Sequence, residues 1–185
     1  MLSTQQHHAL EDETASASAG LFPILAVAFI TALGHILTNG QYGFHRDELQ
    51  FLSDARHLDW GFVAYPPFTP FIEHISLALF GLSLAGLRLF SVLAQTAVII
   101  VSGLMARDLG GRRLAQFTTA LAVALSPLPI FEATEFQYTS FEILWWVLIA
   151  WLLWYNQTRM HSTLCYASPI EFENEWENAQ AKAAA

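Results

Sequence analysis

Apolar runs on the scale of a lipid bilayer constrain this chain more than any other feature. Leu21 to Leu37 is apolar apart from Thr31 and His35, and Leu89 to Ala106 and Leu114 to Phe131 carry no charge. A helix rises 1.5 Å per residue, so about 20 apolar residues cross a hydrocarbon core of roughly 30 Å. A fourth run, ILWWVLIAWLLW from Ile143 to Trp154, is shorter and reaches only about 18 Å. The composition agrees, with 54% hydrophobic and 13% charged residues, where a soluble domain averages about 25% charged. The expectation is an all-α polytopic membrane protein.

Phe68 to Leu87 is also apolar but contains Pro70, Glu73 and His74. A charge at mid-bilayer costs about 3 kcal/mol or more. The loop RDLGGRR carries Arg107, Arg112 and Arg113, which places it in the cytoplasm. With an acidic cytoplasmic N-terminus, that placement requires Phe68 to Leu87 to lie on the outer surface as an interfacial helix, keeping Glu73 and His74 wet. The expected spans are then about 21–38, 88–106 and 114–131, with a partial span at 143–154 and an external segment at 39–87. EATEFQYTSFE, Glu132 to Glu142, is expected to form a second external turn.

Residues 1–20 contain no Lys or Arg, so they lack the positive region of a secretory signal. They are expected to be a disordered polar tail in which His7 and His8 are solvated. From Tyr155 the composition turns polar and ends in an acidic, helix-like stretch. The last span is therefore expected to be cut off, giving a tail at 1–20, a membrane domain at 21–154 and a distinct segment at 155–185. The net charge of −8, with its acids clustered, argues against a basic nucleic-acid surface. The single cysteine, Cys165, excludes an intrachain disulfide framework and a multi-cysteine metal site.

The chemistry-bearing candidates lie beside the first apolar run, in YGFHRDELQFL. Read as a helix, RDELQFLSDARHLDW puts Glu48, Leu52 and Ala55 on one face, with Asp47 on the adjacent stripe beside Phe51 and Leu58. Two readings follow. Asp47 and Glu48 are first-turn acids favoured by the helix dipole, or carboxylates near an apolar surface suited to general-base work. Arg88, at the outer edge of the second span, either snorkels to the interface or pairs with a lipid phosphate. Glu142 stands at the outer end of the last run, and Glu132 and Glu135 read as a wet loop, with the alternative that one of these three acids faces Asp47 across a shared cavity. His35 reads as a hydrogen-bonded interior histidine. Glu73 and His74 are neighbours in sequence, so a helix points them apart and a metal pair is disfavoured.

TNGQYGFHRDELQFLSDARHLDWGFVAYPPFTPF, then LFGLSLAGLRLFSVLA and ARDLGGRRLAQ, resemble the bacterial glycosyltransferase 39-type membrane proteins. Their relatives include the protein O-mannosyltransferases and the aminoarabinose transferase of lipid A. The resemblance covers about Leu21 to Trp151 and implies a helical bundle of the glycosyltransferase C class in the inner (plasma) membrane. It implies sugar transfer from a polyprenyl-phosphate donor to an acceptor at the outer face. Asp47 would be the base that activates the acceptor, Glu48 its adjacent acid, and Arg88 the partner of the donor phosphate. Glu142 falls where relatives often carry an aspartate. A divalent metal is used by some relatives and not by others. From Tyr155, YNQTRMHSTLCYASPIEFENEW resembles the end of DDE-type insertion-sequence transposases, with Cys165 in place of a usual glycine. The implied chain is the opening fragment of a glycosyltransferase gene interrupted by a mobile element, and its product is expected to be inactive. The alternative is a small non-enzymatic membrane protein remnant.

Overall fold

The computed structural model describes residues 21–62, 64–158, 164 and 167–183. The polar tail with His7 and His8, and also Cys165, lie outside the described residues. No strand occurs among the described residues. Eight helices follow one another among these residues: α1 Leu21–Thr38, α2 Arg46–Ala55, α3 Phe68–Phe80, α4 Leu84–Asp108, α5 Arg113–Ala124, α6 Pro127–Thr134, α7 Tyr138–Thr158 and α8 Pro169–Ala183. The chain divides into two compact units, residues 1–144 and 145–185, with α7 running through the boundary.

Among the described residues, three helices are long and apolar enough to cross a bilayer: α1 with 18 residues, α4 with 25 and α7 with 21. Their lengths are about 27, 38 and 32 Å. Two expectations change here. The last apolar run was expected to fall short, but α7 starts at Tyr138 and continues to Thr158. Tyr138 to Phe141, read from sequence as part of a turn, and Tyr155 to Thr158 contain no Gly or Pro to stop it. The stretch 114–131 was expected to be one span. It is instead two helices, α5 and α6, bent by 55°. Pro127 opens α6; it has no N–H to continue the ladder and disfavours helical geometry at Ser126.

α3 corrects a third expectation. It has 13 residues, about 20 Å, so it is too short to span. Its polar residues, however, divide: His74 is exposed, as expected, but the others are not. Thr69, Glu73 and Ser76 are buried, while Phe68, Phe71, Leu79 and Phe80 are exposed. The buried residues follow i, i+4, i+7, one stripe of a helix. This is the reverse of a water-facing amphipathic helix, and it suits a helix whose outer face meets hydrocarbon. Trp60, in the loop leading to α3, is 94% exposed. It lines an apolar groove with Leu58, Phe68 and Phe71, the kind of residue that favours a membrane boundary. Gly81 ends α3 at φ 63°, in the region that glycine tolerates best.

The first unit has two cores. One joins Ile24, Val27 and Ala28 of α1 to Ile99 of α4 and to Ala120 and Ala124 of α5. Small residues let these backbones come close, as in membrane helix pairs. At Gly103 of α4 the approach is close: a Cβ there would lie 2.9 Å from Ile24 side-chain atoms. The second core joins Phe51 of α2, Leu87 and Ala94 of α4, Phe136, and Phe141 of α7. Phe51 meets Tyr65 and Phe136 edge-on, with ring centroids 4.7 and 6.0 Å apart.

In the second unit, SPIE forms a capping box for α8. The Ser168 N–H and hydroxyl both donate to Glu171 Oε2 at 2.9 Å, with Pro169 as the first helical residue. The backbone N–H of Ser168, followed by its hydroxyl, holds the Glu171 carboxyl below its ordinary range.

Replacing Gly103 with Ala should force Ile24 aside and cost about 1–3 kcal/mol, read as a lower thermal unfolding midpoint in detergent. Gly34→Ala, where a Cβ meets nothing within 4 Å, should show no such loss.

Candidate functional site

The chemistry-bearing residues converge where the end of α1, the start of α2, the first turns of α4 and the α6–α7 connection meet. At the centre is a buried ion pair. Glu48 is 0% exposed and Arg88 3% exposed. Arg88 Nε donates to Glu48 Oε1 at 2.7 Å, and Nη2 donates to Oε2 at 2.8 Å. Arg88 also donates from Nη1 to the Asn39 carbonyl at 2.7 Å and from Nη2 to the Gly43 carbonyl at 2.9 Å. Glu48 accepts two further bonds, from the Phe136 N–H at 2.9 Å and the His45 N–H at 2.7 Å. Its carboxylate is therefore fully bonded, and four of the five guanidinium N–H groups are used inside the protein.

The local sequence explains the arrangement. Glu48 is the third residue of α2, and its bond to the His45 N–H is half of a capping box. The first helical turn therefore holds this acid against the core. Asn39, just past α1, donates from its side chain to the Ala133 carbonyl at 2.6 Å and so ties α1 to α6.

Above the pair opens a cavity of about 410 Å3, lined by Thr38, Tyr42, His45, Arg88 and Glu135, among others. Asp47 stands beside His45 with its side chain 40% exposed. His45 Nδ1 lies 4.0 Å from Asp47 Oδ2 and 3.5 Å from Glu135 Oε2. Arg46, almost wholly exposed, reaches Asp47 Oδ1 at 3.4 Å. The result is a half-open rim of two carboxylates around an imidazole, resting on a sealed ion pair.

The sequence-predicted residues separate accordingly. Both acids of the motif sit in the first turn of α2, as the dipole reading expected. Only Asp47 stays accessible, because Glu48 turns inward to Arg88. Arg88 borders the cavity, but its guanidinium is already bonded to Glu48. Glu142 is exposed on α7, and among the described residues no side-chain bond links it to the cluster. Glu132 departs from the wet loop expected of it. It is buried, and its Oε2 accepts from the hydroxyls of Thr139 and Ser140 at the start of α7. His35 is half-buried beside Thr31 and Gln95. His74 Nδ1 lies 2.9 Å from the Ala55 carbonyl, so it anchors α3 to α2.

Two contributors escaped the sequence reading, His45 and Asn39, while Glu135, read as a wet-loop acid, lies 3.5 Å from His45 as a second carboxylate of the rim. The spacing of His45 and Glu48 is that of a capping box, with histidine where Ser or Thr usually stands, and this was the one available signal. Among the described residues, no group of three or more His, Cys, Asp or Glu is placed to hold a metal ion, so the rim does not fit a divalent cation held by protein ligands. Nearby, the Tyr65 hydroxyl donates to Asp54. Burial and then the Asp54 carboxylate push the phenol well above its usual range.

Comparison with protein-family models, curated proteins and solved structures finds no match for this chain.

Arg88→Gln leaves Glu48 charged and unpaired in the interior. It should cost about 3–5 kcal/mol, measured as a drop in the unfolding midpoint in detergent. Arg88→Lys should restore little of that stability, because an ammonium cannot reproduce the two-pronged geometry.

Proposed function

We propose that this chain carries out membrane-bound sugar transfer from a polyprenyl-phosphate donor, with Asp47 as the base that activates the acceptor hydroxyl. The observation that carries this reading is the division of labour within the first turn of α2. Glu48 is consumed by Arg88, which fixes the turn, while Asp47 is left half-exposed next to His45, and His45 lines an open cavity. That cavity, about 410 Å3, lies in the size range of small-molecule sites. Helices of membrane length flank the segment on both sides, which suits a lipid-linked donor. The resemblance of the Tyr42–Leu52 stretch to glycosyltransferase 39-type proteins points the same way.

In this mechanism Asp47 takes the proton of the acceptor hydroxyl as its oxygen attacks the anomeric carbon. The bond from that carbon to the phosphate oxygen breaks, polyprenyl phosphate leaves, and the anomeric centre inverts. His45, held between Asp47 and Glu135, orients the base. Arg88 borders the floor of the cavity with its charge countered by Glu48, and Arg46 is the exposed cation beside Asp47. Glu142 takes no step. The fold in this reading is of the glycosyltransferase C class, in the plasma membrane, with α2 and α3 at the outer face.

A second reading, a membrane protein remnant without turnover, draws on one observation. The guanidinium assigned to the donor phosphate is already engaged by Glu48 and two carbonyls.

A transfer assay in membranes supplied with polyprenyl-phosphate sugars separates the two. Asp47→Asn should lower transfer by about 100- to 10,000-fold while leaving the unfolding midpoint unchanged. Transfer that survives in Asp47→Asn removes the base assignment, and no transfer by the unaltered chain favours the remnant.

A further inference from the structure

The conflict between position and chemistry is sharpest at Glu73, on the inward stripe of α3. Its side chain is 0% exposed, and neither carboxyl oxygen has a hydrogen-bond partner. Beside it is a cavity of about 10 Å3, walled by Ser76 and Ser83 and otherwise largely by leucines. That is room for one water. An ionised carboxylate with no partner is strongly disfavoured in such a place, whereas a carboxylic acid needs only a neighbour to accept its proton.

The groups that face Glu73 sharpen the choice. From α2 come Glu48 and Asp54, both repelling a negative charge on Glu73, and from the preceding loop comes Tyr65. Arg88 of α4 is bonded to Glu48. His74, on α3 itself, is bonded to the Ala55 carbonyl.

We infer that Glu73 is an internal proton-binding site: it is held as a neutral carboxylic acid, hydrogen-bonded to a single water in the adjoining cavity. The site is independent of the sugar-transfer reading. Burial, followed by repulsion from Glu48 and Asp54, pushes the Glu73 carboxyl up to about 8. An ordinary glutamate titrates near 4.5, so between these values the folded protein binds a proton that the unfolded chain has released. Stability therefore falls as pH rises through that window.

Infrared spectroscopy of the full chain in detergent tests this. The expected result is a carboxylic acid carbonyl band at pH 7 that is absent in Glu73→Gln, fades as pH passes about 8, and does not respond to sodium or potassium chloride. The unfolding midpoint of the unaltered chain should fall from pH 6 to pH 9, while that of Glu73→Gln stays level over this range. Identical spectra for the two proteins at pH 7 would overturn the inference. Loss of the band on adding salt at constant pH would also overturn it, because the occupant would then be a cation. Should Glu73→Gln not fold, the titration of the band in the unaltered chain decides alone: no acid band persisting at pH 7 refutes the site.

Discussion

The pairing of Glu48 with Arg88 holds together everything that bears on function. One carboxylate accepts from the guanidinium and from two backbone N–H groups, and one guanidinium reaches two carbonyls besides. These bonds reach the end of α1, both sides of the α2 start, α4 and the connection before α7. A buried ion pair is weak evidence of net stability, because desolvating two charges offsets most of their attraction. What it supplies here is geometry. Each remaining lone pair and nearly every donor has a partner only when all these segments are in place. Displacing one of them leaves a charge or a carbonyl buried without a partner.

That constraint decides what the first turn of α2 can offer. Two adjacent acids on a helix point about 100° apart, so fixing one inward directs the other toward the rim. Asp47 is accessible because Glu48 is not. His45 completes the arrangement: its backbone closes the capping box while its ring meets the carboxylates of Asp47 and Glu135. A cap that shapes the helix end thus also builds the rim.

The interior of the first unit is unusually polar for a chain so apolar. Glu48, Glu73, Arg88, Gln95, Gln116 and Glu132 are all buried, while large apolar residues of α1 and α3 are exposed. In water this pattern would be inverted. Around helices of membrane length it is reasonable, since hydrocarbon rewards apolar surface outward and leaves polar groups to find one another inside. Glu132 found hydroxyls, Glu48 found a guanidinium, and Glu73 found neither.

How much of this was legible is clear from particular residues. The apolar runs announce helices, and α1 and α4 lie where the runs lie, because length and hydropathy are local properties. The start of α2 was legible from its acids. The break in α5–α6 was signalled by Pro127, though the run remained apolar across it. The full length of α7 was not legible, because the hydropathy change at Tyr155 obscured a chain with no helix breaker. The inward turn of Glu73 was not legible either, since a helix with one charge reads as wet unless its neighbours are known. By itself, then, the sequence determined an all-helical chain, the membrane-length segments and an acidic first turn on α2, all of them consequences of near-neighbour chemistry. Only the tertiary structure decided which acid stays open, which is locked to Arg88 and which is stranded beside a water-sized void. Those outcomes depend on partners some 40 to 90 residues away along the chain, where no local pattern can reach.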